Sequence, residues 1–251
     1  MPARQGEGLA SHFGHHRHIA LVYDRYGDQH AVASDFIRNG LDQNGFCLYL
    51  HDETPYQAVL DLLAEAGIDH ETEVAAGRLV IGDRTRYLDP DGAFSSTLML
   101  ETLRNTVEIA VANGYRGLFA TGEMSWALGA HPGVAELMPY ESLCNELIQG
   151  HEVVGLCQYN RRRFSDRALQ QVLLTHPWIL IGGRVCRNLY HVRLADLDFD
   201  HFPEHASVDE LLDDIVARDA LERTLTEATY SIEGSLEIGA GRDDSRQMVK
   251  I

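Results

Sequence analysis

The sequence predicts an α/β fold in which a mainly parallel sheet carries helices on both faces. Three observations lead there. From residue 18 to residue 159 short apolar runs alternate with longer stretches of helical period, giving five strands with four helices between them. A chain of 251 residues with 45% hydrophobic content fits one large α/β domain plus an appendage. Gly182-Gly183 between two further apolar runs signals a hairpin, and with it an antiparallel pair at one sheet edge.

The elements follow in order. His18 to Asp24 reads as a buried strand, followed by a helix with Ala33, Phe36, Ile37 and Leu41 at helical spacing that stops near Gly40 and Gly45. Phe46 to Leu50 is the second strand, and Thr54-Pro55 starts a helix carrying Val59, Leu60, Leu62 and Leu63 before Gly67. Arg78 to Gly82 is a third strand. A polar connection with the turn signature Asp89-Pro90-Asp91-Gly92 leads to a long helix from Ser96 to Asn113. Leu118 to Thr121 gives a fourth strand, Pro132 to Ile148 a helix, and Val153 to Tyr159 a fifth strand. A helix near Asp166 to Leu174 precedes the hairpin Trp178–Ile181 and Val185–Tyr190. Residues 207–228 carry Val208, Leu211, Leu212, Ile215, Leu221 and Leu225 at helical spacing behind Ser207, with Glu210 completing a capping box; they form an extra C-terminal helix outside the sheet. The expected division is an N-terminal extension 1–17, a domain 18–195, an acidic linker and helix 196–232, and a weakly ordered tail 233–251.

Charge narrows the partners. The net charge is −17, of which residues 196–251 carry −10, and Lys250 is the only lysine. Phosphate contacts need clustered Lys and Arg, so direct nucleic-acid binding and docking on anionic lipid are both disfavoured. Cys47, Cys144, Cys157 and Cys186 form no C-x-x-C pair, which argues for free thiols in a reducing compartment. Without a membrane-length apolar run or a signal-peptide core, the chain is expected to be cytoplasmic. His15, His16 and His18 read as a solvated segment before the first strand, and no metal site is expected.

The chemistry-bearing residues gather at predicted strand ends, where open α/β sheets bind ligands. In Gly122-Glu-Met-Ser-Trp126 a strand ends abruptly in a carboxylate and a tryptophan, so Glu123 and Trp126 are site candidates. A phosphate-binding loop after the first strand would need Gly-x-x-x-x-Gly-Lys-Ser/Thr. The segment Tyr23 to His30 offers one glycine, no lysine, and the carboxylates Asp24 and Asp28. Tyr23, Trp126 and Tyr159 can line an aromatic pocket or belong to the core. Cys157 reads as a buried structural thiol or a nucleophile, and Arg162 within Arg161-Arg162-Arg163 as an anion holder or a solvated turn. His176 is a structural histidine or a ligand-binding one, and Glu141 faces either a cleft or solvent.

Several short strings coincide in order: His18 to Tyr23, Cys47-Leu-Tyr49 with Asp52-Glu53, Gly77-Arg-Leu-Val80, Gly114-Tyr-Arg-Gly117, Gly122 to Trp126, Tyr140-Glu141, Cys157-Gln-Tyr159 with Arg161 to Phe164, and His176-Pro177. Together, from about His15 to Val192, they resemble the MEDS domain, the methanogen and methylotroph sensory domain also found in a dichloromethane-responsive regulator. The resemblance implies a fold similar to the RecA and KaiC class with a degenerate phosphate loop, and a role in sensing small molecules such as hydrocarbon derivatives. Histidine-kinase, anti-sigma or DNA-binding regions often accompany the domain. Residues after 206 resemble none of these.

The expected function is therefore a non-enzymatic, ligand-responsive protein in signal transduction and transcription regulation. Its ligand-binding residues are Tyr23, Glu123, Trp126, Glu141, Cys157, Tyr159, Arg162 and His176; no catalytic residue is assigned and the cofactor is unknown. A protein partner or a second copy is expected to dock through residues 207–228. The alternative is an enzyme, either a divergent nucleotide-binding protein or a thiol catalyst using Cys157.

Overall fold

Along the first strand Ile19, Leu21 and Tyr23 enter one hydrophobic core, and strand alternation turns His18, Ala20 and Val22 to the opposite face. That alternation organises the whole domain. The structure is a computed structural model and describes residues 13, 16–83, 93–128, 136–197 and 207–240. The strands are β1 (Arg17–Tyr23), β2 (Phe46–His51), β3 (Leu79–Asp83), β4 (Leu118–Glu123), β5 (Val153–Asn160), β6 (Trp178–Ile181) and β7 (Arg184–Arg187). The helices are α1 (Tyr26–Asp42), α2 (Tyr56–Glu65), α3 (His70–Ala75), α4 (Ser96–Ala112), α5 (Leu137–Gly150), α6 (Asp166–Thr175) and α7 (Val208–Ala240).

Among the described residues seven strands form one sheet in the order β3-β2-β4-β5-β1-β6-β7. All pairs are parallel except β6 and β7. The predicted edge hairpin is thus present. Gly182 and Gly183 turn it with φ of 55° and 75°, the left-handed pair that a two-residue turn between twisted strands demands. The α/β architecture with a mainly parallel sheet stands as the sequence predicts.

One face of the sheet is covered by α1 and α2, where Val32, Phe36, Ile37, Val59 and Leu63 pack on Ile19, Leu21, Tyr49, Phe119 and Leu156. Each fully buried side chain of this size is worth about 1.5–3 kcal/mol. The other face meets α4 and α5, with Leu103 and Val107 buried on α4 and Leu137, Tyr140, Glu141, Cys144 and Ile148 on α5. Ser95 and Ser165 start α4 and α6 by accepting from Leu98 N and Ala168 N, as N-cap serines do.

Three details differ from the sequence reading. Helix α1 runs through Gly40 to Asp42, and Asn44 takes the left-handed turn instead (φ 57°). Helix α3 is unanticipated because it buries none of its residues; its signal is the cap at Asp69, whose carboxylate accepts from Thr72 N. Helix α7 extends to Ala240, past the stretch 207–228. The turn signature 89–92, His15, the start of the predicted helix at Pro132 and residues 241–251 lie outside the described residues.

The described residues up to Val208 and those from Asp209 onward form two compact units. On α7, Leu221 and Leu225 are exposed. No helix among the described residues is long and apolar enough to cross a membrane.

Candidate functional site

Small residues cluster on the face of the sheet that meets α4 and α5. Strand β4 turns Ala120 and Gly122 that way, β5 turns Gly155 and Cys157, and the register sets Ala20 and Gly122 on either side of Cys157. Short side chains cannot fill the space beneath two helices. A cavity of about 80 Å³ results, lined by Met99 and Leu103 of α4, Tyr140, Cys144 and Ile148 of α5, and Met124 and Trp126 beyond β4. Phe94 and Trp126 lie against each other at 4.8 Å, and Tyr140 meets Phe94 edge-on at 5.4 Å. This aromatic trio bounds a space suited to a molecule of a few heavy atoms, and the wall is predominantly apolar.

Two residues of that wall, His18 and Cys157, also belong to a buried polar cluster. Gly155 stands opposite His18 in the β1–β5 register, and a Cβ there would lie 3.4 Å from both the His18 ring and Ile148. The missing side chain leaves room for the imidazole on the sheet. His18 Nε2 lies 3.1 Å from Glu141 Oε2, and His176 Nε2 lies 3.5 Å from the same oxygen. Tyr159 donates its hydroxyl to Glu141 Oε1 at 2.8 Å, and the Cys157 thiol points at Glu141 Oε2 from 3.6 Å and at His18 Nε2 from 3.5 Å. The His18 and His176 rings stack at 4.1 Å. Glu141 and His176 are fully buried and His18 is 2% exposed.

Hydrogen bonds on the outer side of each ring settle the tautomers. Asn145 donates its amide to Thr175 O at 2.8 Å, so its Oδ1 is the atom that faces His18 Nδ1 at 3.1 Å, and that nitrogen must carry a proton. His176 Nδ1 faces the Val172 carbonyl at 3.0 Å and must also donate. With Nδ1 donating outward in each ring, Nε2 is the nitrogen that each ring turns to Glu141 Oε2. Burial, reinforced by His18, pushes His176 down to about 3, so it is neutral. Burial and the Glu141 charge push the Cys157 thiol well up.

The Gly122–Trp126 segment divides its work. Glu123 Oε2 accepts from the amides of Asp52 and Thr54, each at 3.0 Å, and Ser125 donates to Asp52 at 2.9 Å. These contacts hold the β2–α2 loop against the end of β4. Glu123 Oε1 is buried with no hydrogen-bond partner among the described residues, and Glu123, Met124 and Trp126 border the cavity.

The predicted site residues therefore fall into three groups. Glu123, Trp126 and Cys157 meet at the cavity. Glu141, Tyr159 and His176 join Cys157 in the polar cluster. Tyr23 and Arg162 belong to neither: Tyr23 packs in the α1 core, where burial and then Glu123's charge raise its hydroxyl, and exposed Arg162 faces Asp24 at 3.7 Å. Sequence reasoning missed His18. It lies inside β1 and not before it, so the solvated reading is corrected for this residue, and its parity with Ala20 and Val22 was the available signal. His16 remains half exposed, with Nε2 3.5 Å from Glu152.

The model of the MEDS family, described as MEthanogen/methylotroph, DcmR Sensory domain, matches residues 17–177. The transcriptional repressor DcmR of Methylorubrum extorquens (strain DSM 6343 / CIP 106787 / DM4) is 27% identical over 165 residues, which are 64% of this chain and 58% of the repressor. The match thus spans somewhat more than half of the repressor's length. Among solved structures, the uncharacterized protein PH0321 of Pyrococcus horikoshii, in complex with an unknown peptide, has a TM-score of 0.50 at 15% identity, covering 68% of this chain and 82% of that one. The KaiC-like protein PH0186 of Pyrococcus horikoshii OT3 follows with 0.46 at 14% identity, covering 66% and 71%. At such identities the likeness concerns the fold alone.

Proposed function

The chain belongs to the MEDS family of sensory domains, and from that premise we propose that it is a regulatory sensor, without catalysis of its own, for a small and largely apolar molecule held between the sheet and α4–α5. The observation that carries this reading is the aromatic-bounded cavity of about 80 Å³. Its size suits a hydrocarbon derivative of a few heavy atoms. Trp126 and Tyr140 supply apolar contact to such a ligand, whereas the Glu123 carboxylate braces the β2–α2 loop at the end of β4. Output passes to a protein partner or a second copy through α7, where Leu221 and Leu225 are exposed. Four free cysteines suit a reducing cytoplasm.

Dichloromethane is a suitable probe because Trp126 reports on the cavity by fluorescence. A ligand of three heavy atoms gains at most about 4.5 kcal/mol, so its Kd is expected near or above roughly 0.5 mM. Trp126→Ala is expected to weaken the binding by about tenfold or more when displacement is followed with ¹²⁹Xe. Unchanged affinity in that variant would remove the cavity from the account.

A nucleotide-binding reading has less support. Only Asp24 and Arg25 separate β1 from α1, and Gly27 is already helical, so no loop of backbone amides is available to wrap a phosphate chain. Magnesium-ATP is accordingly expected to leave the melting temperature unchanged. Stabilisation approaching about 2.7 kcal/mol, the gain at roughly 100 times Kd, would instead reinstate nucleotide binding.

A further inference from the structure

We propose that His18 Nε2, Glu141 Oε2, Cys157 Sγ and His176 Nε2 bind a divalent transition metal of the zinc class at the polar end of the cavity. This site is independent of what fills the cavity. The four atoms lie within 4.8 Å of one another, and they come from β1, α5, β5 and the end of α6, so the packed domain fixes their positions. Zinc bonds of about 2.0–2.3 Å in a tetrahedron set neighbouring ligand atoms roughly 3.3–3.8 Å apart. Of the separations, 3.5, 3.5 and 3.6 Å fall on that edge and 3.1 Å lies just below it.

The outer hydrogen bonds point the same way. Metal-bound histidines commonly donate their second nitrogen to an oxygen that fixes the ring, and here Asn145 Oδ1 and Val172 O do so for His18 and His176. Tyr159 occupies Glu141 Oε1 and leaves Oε2 for the centre. Two imidazole Nε2 atoms and a carboxylate oxygen then converge where a single buried cation can be held by all three. His176 Nε2 is fully buried without a hydrogen-bond partner among the described residues, an arrangement that costs stability unless something occupies that direction. Two neutral imidazoles, one carboxylate and one thiolate also balance a doubly charged ion, which a low-dielectric interior requires. On binding, the thiol proton is released to solvent and the sulfur pair forms the metal bond. Cys157 and His18 also line the cavity, so the ion would stand within reach of a polar atom on a cavity ligand.

The test is anaerobic titration of the chelator-treated full chain with Co²⁺ in the presence of a phosphine reductant. One equivalent is expected to bind, with visible bands of tetrahedral intensity and a thiolate-to-cobalt charge-transfer band. Cys157→Ser should lose that charge-transfer band, whereas Cys144→Ser, altered on the same wall, should keep it. Asn145→Ala, which removes the outer support of His18 and the bond to Thr175 O but none of the four ligand atoms, should weaken binding by about 10–100-fold; if Cys157→Ser fails to fold, this loss decides the matter. No uptake by the unaltered chain, a band that persists in Cys157→Ser or vanishes in Cys144→Ser, or unchanged affinity in Asn145→Ala would overturn the site.

Discussion

Glu141→Ala is expected to lower the unfolding free energy by about 3–5 kcal/mol, the cost of removing one member of a buried charged network. The carboxylate takes the Tyr159 hydroxyl at 2.8 Å and faces both His18 and His176 inside the protein. Alanine leaves the Tyr159 phenol and the His18 imidazole edge without their carboxylate partner inside the protein. For a chain of this size the loss corresponds to a fall in melting temperature on the order of 10 °C. Glu141→Gln keeps a carbonyl oxygen for Tyr159 and should cost less. Urea denaturation of the three proteins checks this order, and a loss below about 1 kcal/mol for Glu141→Ala would show that the cluster contributes little to the fold.

Gly122→Leu is expected to abolish binding in the cavity while the domain stays folded. The strand position of Gly122 turns a side chain toward α4 and α5, and a Cβ there meets only Leu50, at an ordinary 3.5 Å. The remaining leucine atoms would then occupy space that a ligand needs. Overpacking of this kind typically costs about 1–3 kcal/mol, which a domain of this size tolerates. Xenon and dichloromethane should both lose at least about tenfold in affinity, with the circular dichroism spectrum retained. A folded variant that still binds dichloromethane as the unaltered chain does would place the ligand elsewhere.

How much of this was legible in the sequence depends on the range of the interaction. The order of strands and helices and the Gly182-Gly183 hairpin are local patterns, and both could be read along the chain. Glu123 and Trp126 were also legible, because both end an apolar run. Their division of work was not: the bonds from Asp52 and Thr54 to Glu123 cross about seventy positions. Glu141 sits within the apolar stripe Leu137, Tyr140, Cys144 and Ile148, so a buried carboxylate was visible in principle as a polar residue at a core position. Its partners His18 and Cys157 stand 139 positions apart and are brought together by the β1–β5 register, and His176 joins them from the end of α6. Arg162 and Tyr23 were drawn toward the site by position at strand ends, whereas their side chains turn to solvent and to the α1 core.

The proposed function requires that a small apolar molecule bind between the sheet and α4–α5. Methyl-labelled methionine makes it directly measurable, since Met99 and Met124 line the cavity while Met138 lies on another surface depression. With ¹³C-dichloromethane near saturation, nuclear Overhauser contacts are predicted to the Met99 and Met124 methyls and not to Met138. Contacts absent from Met99 and Met124, or confined to Met138, would contradict the claim.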